Sequence, residues 1–122
     1  MDPAYADGTW VHISPFSYTL TNPKRGDVVA LRSLENPRRW ELKRIIGLPH
    51  EAITWNGGSV WINGLYLPEL YVSQALAILG DDSHHLLLGP EEYFVLGDNR
   101  LHSRDSRAYG PVLLRDILGQ IS

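Results

Sequence analysis

Gly26-Asp27-Val28-Val29-Ala30-Leu31 and Trp40-Glu41-Leu42-Lys43-Arg44-Ile45-Ile46-Gly47-Leu48 are the two runs whose reading decides the fold. The first is apolar and β-branched and is entered through Asn22, Pro23 and Gly26, which reads as a turn feeding a buried strand. Asn36 and Pro37 reverse the chain between the runs and Pro49 closes the second, so the pair predicts an antiparallel hairpin. Lys43 falls in the middle of its second strand.

Turn signals recur outward from that hairpin. Thr54 and Trp55 precede Asn56-Gly57-Gly58, while Val60, Trp61 and Ile62 follow it and lead to Asn63-Gly64, which together read as a β meander. Tyr93 to Leu96 reads as another short strand, Tyr71 to Gly80 as the one helical segment, and Val112 to Ile121 fits a strand or a short helix equally. The fold class expected is all-β, mostly antiparallel and twisted, with little helix. The short stretch between Asn63-Gly64 and Pro90 leaves room for only a small second lobe.

The 122 residues are 43% hydrophobic and 20% charged, which fits one compact domain over residues 1–122 and excludes a disordered or repetitive chain. A net charge of -3 lacks the basic excess that nucleic-acid binding calls for, so no nucleic-acid partner is expected. Cysteine is absent, which rules out disulfides and thiolate metal sites. No run approaches the roughly 18 to 20 apolar residues of a membrane-spanning helix.

Two constellations could carry chemistry. On a strand, Lys43 shares a face with Glu41 and Ile45, while Leu42 and Arg44 share the other. Such a lysine reads either as a snorkelling side chain at a sheet edge or as a general base. The second role needs a neutral amine, so the reference pKa of about 10.4 would have to fall by several units through desolvation. The other constellation is Gly97-Asp98-Asn99-Arg100-Leu101-His102-Ser103-Arg104-Asp105-Ser106-Arg107, either a solvated turn with local ion pairs or a set of donors and acceptors bracing a site. His102, Ser103 and Asp105 do not form a triad, because near neighbours on an extended chain cannot converge on one hydroxyl. His84-His85 beside Asp81 and Asp82 reads as a solvated loop and not a metal site, since adjacent histidines point apart and no third ligand is spaced to join them.

Taken together the two constellations resemble the type I signal peptidase family of serine-lysine proteases. The family's lysine block is similar to Lys43-Arg44-Ile45-Ile46-Gly47-Leu48-Pro49, and its late block to Gly97-Asp98-Asn99-Arg100 followed by Ser103, Asp105-Ser106-Arg107 and Gly110. Pro23-Lys24-Arg25-Gly26-Asp27-Val28-Val29, Val60-Trp61-Ile62-Asn63-Gly64 and Pro68-Glu69-Leu70-Tyr71 resemble its other strands, in the same order along almost the whole chain.

The resemblance implies an endopeptidase that removes signal peptides from exported preproteins after small residues, at Ala-x-Ala-like sites, without metal or organic cofactor. Lys43 would be the general base, Ser103 would orient its amine, and Asp105 with Arg107 would brace the site as an ion pair. Gly97, Asp98 and Asn99 would shape the adjoining turn, and Met1, Tyr5 and Leu42 would line the substrate pockets. The family's serine block has the form Ser-Met-x-Pro, and Met1-Asp2-Pro3 matches its continuation, so the nucleophile is expected immediately before Met1 and this chain by itself is expected to be inactive. Ser14 and Ser17 lack the Met-x-Pro continuation. The expected setting is the extracytoplasmic side of a bacterial plasma membrane, with Tyr5, Trp10 and Phe16 facing the bilayer surface. A non-catalytic scaffold that binds preproteins or membrane partners is the alternative. His50-Glu51 stands where the family has Gly-Asp, so a different turn geometry is expected there.

Overall fold

A computed structural model describes residues 3–6, 9–14, 18, 21–36, 38–56, 59–68, 83–100 and 102–121. In chain order the strands are β1 (Pro3–Ala6), β2 (Thr9–Ser14), β3 (Val28–Arg32), β4 (Trp40–Gly47), β5 (Ala52–Asn56), β6 (Ser59–Ile62), β7 (Leu65–Tyr66), β8 (His84–Leu87) and β9 (Glu92–Leu96). The helix α1 (Ser106–Tyr109), β10 (Val112–Leu113), a 3-10 turn (Leu114–Asp116) and β11 (Ile117–Ile121) follow. The architecture is all-β and antiparallel, as expected. The helix expected from Tyr71 to Gly80 lies outside the described residues.

The hairpin is present with β3 and β4 paired from Val28 opposite Arg44 to Arg32 opposite Trp40. Its turn is closed by the Ser33 N–H on the Arg39 carbonyl at 2.9 Å, and the Ser33 hydroxyl accepts the Asn36 N–H at 3.1 Å. Around the hairpin a seven-stranded sheet forms in the order β1-β2-β11-β3-β4-β9-β10. The strands β5 to β8 make a second sheet in the order β7-β6-β5-β8. The larger sheet curls, so that β1, its edge strand, comes back against β4.

Alternation along β3, β4 and β9 sorts the core onto two faces. Val29, Leu31, Ile45, Tyr93 and Val95 join Val112 on one face. On the other, Ile46, Phe94 and Leu96 meet Ile53, Val60 and Ile62 of the smaller sheet, and Ala30 packs with Ile13. The two sheets meet at Gly47, where a Cβ would lie 2.6 Å from Ile53 Cδ1 and 2.9 Å from Phe94 Cβ. Only glycine admits that approach.

Two local expectations need correction. His84 and His85 form part of β8, paired to β5, and not a solvated loop. The ladder satisfies their backbones, His84 stacks on Trp55 with centroids 5.3 Å apart, and the His85 Nδ1 lies 3.0 Å from the Thr54 hydroxyl. Val112 to Ile121 is neither one strand nor one helix, because the turn at Leu114–Asp116 divides it so that β10 pairs with β9 while β11 enters between β2 and β3. At the turn after Pro49, His50 takes φ 70, the left-handed region that glycine fills without strain. Fixed contacts hold it there. The His50 N–H donates to the Leu88 carbonyl at 3.0 Å, and Glu51 accepts the Leu48 N–H at 2.7 Å and two Arg25 guanidinium bonds at 2.7 Å.

A residue with a side chain loses about 1–2 kcal/mol in the left-handed region, and glycine loses about 0.5–1 kcal/mol through its freer unfolded state. His50→Gly is therefore expected to stabilise the protein by about 0.5–1 kcal/mol, seen as a higher urea midpoint at unchanged m-value. A lower midpoint would contradict the strain assigned to this turn.

Candidate active site

The strand β4 carries Lys43 and Arg44 on opposite faces, and each finds its partner in the loop after β9. The Lys43 Nζ donates to the Ser103 Oγ at 3.1 Å. Arg44 grips both carboxylate oxygens of Asp98, with Nη2 to Oδ2 at 2.8 Å and Nε to Oδ1 at 3.0 Å, and gives a further bond to the Gly26 carbonyl at 2.8 Å. The loop is thus held from both sides of one strand.

Asp105 organises the loop from within. Its carboxylate is fully buried and accepts the Gly97 N–H at 3.0 Å, the Arg107 N–H at 3.2 Å, and the Arg107 Nε and Nη2 at 2.9 and 3.0 Å. Burial pushes the Asp105 carboxyl up, but the Arg107 guanidinium, the Gly97 amide and the Ser103 hydroxyl outweigh it and hold the group below the usual carboxylate range. Asp105 is also the N-cap of α1, which accounts for so short a helix forming there. The buried Arg100 donates to the Gly97 carbonyl at 2.8 Å, while Arg107 reaches the Arg100 carbonyl at 2.9 Å.

Both backbone groups of Gly97 are therefore taken by side chains, which ends the β9 ladder. The pairing of β4 with β9 runs from Gly47 to Arg44 and stops at Leu96. Beyond it, Trp40 to Lys43 are paired to β3 on one side and have no ladder partner among the described strands on the other. An open cleft lies along that edge, lined by Trp40, Glu41, Leu42, Lys43, Asn99 and Ser103 among others. Gly97 also lets the loop seat itself, since a Cβ there would collide with the Ser103 Oγ.

The structure therefore brings Lys43, Ser103, Gly97, Asp98, Asn99, Asp105 and Arg107 into one neighbourhood, with Leu42 on the opposite face of the same edge. Met1 and the side chain of Tyr5 lie outside the described residues, as do those of Trp10 and Phe16. The Arg44–Asp98 pair and the bond between Arg104 and Glu35 at 2.6 Å were not foreseen from the sequence. Arg44, one residue after Lys43 and so on the other face of the strand, was the only local sign that a second partner was needed. Nothing in the sequence ties it to Asp98.

Residues 1–122 match the family described as signal peptidase, peptidase S26. Signal peptidase I V of Bacillus subtilis (strain 168) is 32% identical over 133 residues, covering 100% of this chain and 78% of that protein. Signal peptidase I of Leptolyngbya laminosa is 35% identical, covering 88% of this chain, which spans 55% of that relative's length. The crystal structure of a signal peptidase I from Enterococcus faecalis V583 superposes with a TM-score of 0.71 at 30% identity, over 84% of this chain and 98% of that one.

Because Asp105 titrates below its unfolded value of 3.8, the stability it confers is present above that pH and is lost as pH falls through the depressed folded value. Asp105→Asn is expected to cost about 3 kcal/mol at neutral pH, by leaving Arg107 uncompensated, and to make the loss of stability below about pH 4 shallower. Urea titrations from neutral pH into the acid range measure both. Glu51, also held low against its burial by Arg25 and the Leu48 amide, keeps part of the acid slope in the variant. An acid limb as steep as in the parent protein would rule out this role.

Proposed function

Because the chain belongs to the signal peptidase family, peptidase S26, whose members are serine endopeptidases, we propose that it forms the general-base half of a serine-lysine dyad that cleaves signal peptides from exported preproteins. The observation that carries this reading is the Lys43 amine, 3.1 Å from the Ser103 hydroxyl and facing the cleft beside the unpaired edge of β4. The nucleophile of such a dyad is a serine hydroxyl. The setting is the outer face of a bacterial plasma membrane, and no helix among the described residues is long and apolar enough to cross a membrane.

The substrate enters as an extended strand on the free edge from Trp40 to Lys43, where backbone groups supply affinity and the alternating faces sort its side chains. With the scissile carbonyl beside Lys43, the Lys43 amine as general base takes the proton of the serine hydroxyl as its oxygen attacks the carbonyl carbon. Collapse of the tetrahedral adduct breaks the C–N bond, and the proton on Lys43 passes to the departing amine of the mature protein. A water then attacks the acyl-enzyme, gives its proton to Lys43, and the serine recovers that proton as the signal peptide leaves. Ser103 holds the amine on this line throughout. Asp105 and Arg107 act through Ser103 and Gly97 and touch no substrate.

Joined to an upstream segment ending in serine, the chain is expected to cleave a preprotein after Ala-x-Ala. Lys43→Ala is then expected to lower the single-turnover rate by at least about a thousandfold, while the Asp105–Arg107 core keeps the variant folded. Full activity in Lys43→Ala would sink the dyad. A folded extended chain that binds the preprotein without cutting it would favour the scaffold instead.

A further inference from the structure

Arg39 stands at the hairpin end of the cleft and lines it together with Glu41 and Lys43. Its backbone is fixed at both groups, the N–H donating to the Asn36 carbonyl at 2.9 Å and the carbonyl accepting the Ser33 N–H at 2.9 Å. The second bond carries the β3–β4 register one step past Arg32 opposite Trp40, so alternation puts Arg39 on the face of Glu41 and Lys43. The residue is exposed and enters no ion pair among the described residues. Two other cations of the lining are already answered, Arg104 by Glu35 at 2.6 Å and Arg44 by Asp98 at 2.8 Å. Glu41 accepts a hydrogen bond from the Tyr109 hydroxyl of α1 and lies about 7 Å farther along the strand, so Arg39 dominates what stands directly opposite it.

A substrate strand on the open edge of β4 presents its side chains alternately to the two faces. The small residues of Ala-x-Ala, two positions apart, share one face, and the apolar surface that suits them is the one where Leu42 lies opposite Ala30 with Ile13 beside it. The residue x and the residue just ahead of the first alanine then share the other face, which carries Lys43, Glu41 and, toward the hairpin, Arg39. With the scissile carbonyl beside Lys43, the strand runs from there toward Arg39, because β9 occupies the edge on the other side of Lys43. We propose that Arg39 is a specificity-determining residue that selects a carboxylate on the residue just ahead of Ala-x-Ala and disfavours a cation there. This rests on the signal-peptide reading above. A guanidinium presents a planar fork of donors that the two oxygens of a carboxylate fill. The sign of the preference does not depend on Lys43: a proton on Lys43, or on His102 in the same lining, adds to the attraction, and its absence leaves the charge of Arg39 as it is.

The test is fluorescence anisotropy of labelled signal-peptide segments on this chain, with glutamate, glutamine or lysine just ahead of an Ala-Gln-Ala site and a control bearing leucine at both small positions. At low ionic strength the glutamate peptide is expected to bind about fivefold tighter than the lysine peptide, with glutamine between them. High salt should narrow that ratio, and Arg39→Gln should bring it within about twofold. Arg39→Glu should invert the order. Moving the glutamate one residue farther upstream turns it to the other face and should lower its affinity to that of the glutamine peptide. A preference that survives the move, or equal affinity of the glutamate and lysine peptides with both ahead of the leucine control, overturns the selection by Arg39 and leaves the proposed function standing. No Ala-Gln-Ala peptide binding better than the leucine control overturns the strand-binding reading and the selection with it. The glutamate-to-lysine ratio in the parent protein decides the matter even if a variant fails to fold.

Discussion

A carboxylate sealed from water must be paired or give up its charge, and Asp105 is such a group. Its donors include the Gly97 amide at the end of β9, the Arg107 amide in the first turn of α1, the Arg107 guanidinium and the Ser103 hydroxyl. Satisfying one anion thus ties a strand end, a helix start and the loop between them. The same guanidinium reaches back to the Arg100 carbonyl, so the loop is pinned at both ends. Ser103 sits inside that pinned loop, two residues before Asp105. Its hydroxyl meets the Lys43 amine because of bonds that mostly belong to its neighbours.

Alternation along β4 supplies the other half of the geometry. Consecutive side chains must leave opposite faces, so Lys43 and Arg44 cannot share a partner. The loop solves this by straddling the strand, with Ser103 on one side and Asp98 on the other. Straddling needs β9 to stop, and it stops where Gly97 turns its amide to Asp105 and its carbonyl to Arg100. The open edge beside Lys43 and the anchoring of the loop are therefore two results of one arrangement. Closing the edge by extending the ladder would take the Gly97 amide from Asp105 and leave that carboxylate short of a donor.

What the sequence disclosed follows the range of the forces involved. The β3–β4 hairpin and the Asn63-Gly64 turn, with φ of 50 and 83, are written in contiguous residues. The faces of β4 follow from period-2 alternation alone. The entry of β11 between β2 and β3 was not legible, because that pairing is chosen by packing across nearly the full chain. The strand at His84–Leu87 was missed because its residues lack β-branched character and its stability comes from β5, through Trp55 and Thr54. In the candidate site, Lys43 and the late polar run were visible as residue types. Which of their charges meet was not, since Arg44 and Asp98 lie far apart in sequence.

An unpaired strand edge is a hazard in any sheet, as its free amides and carbonyls will pair with another chain. Natural edges are blunted by charge, by short length or by cover. The open stretch of β4 has short length and polar side chains: it spans only Trp40 to Lys43, and Glu41 and Lys43 share one of its faces. A second copy of the same edge, paired antiparallel, would bury these groups against an apolar face or against each other without the close geometry that offsets desolvation. A peptide with small residues on one face and a polar group on the other meets no such penalty. The polar side chains on this face restrict what can add to the edge and leave it poorly suited to self-association.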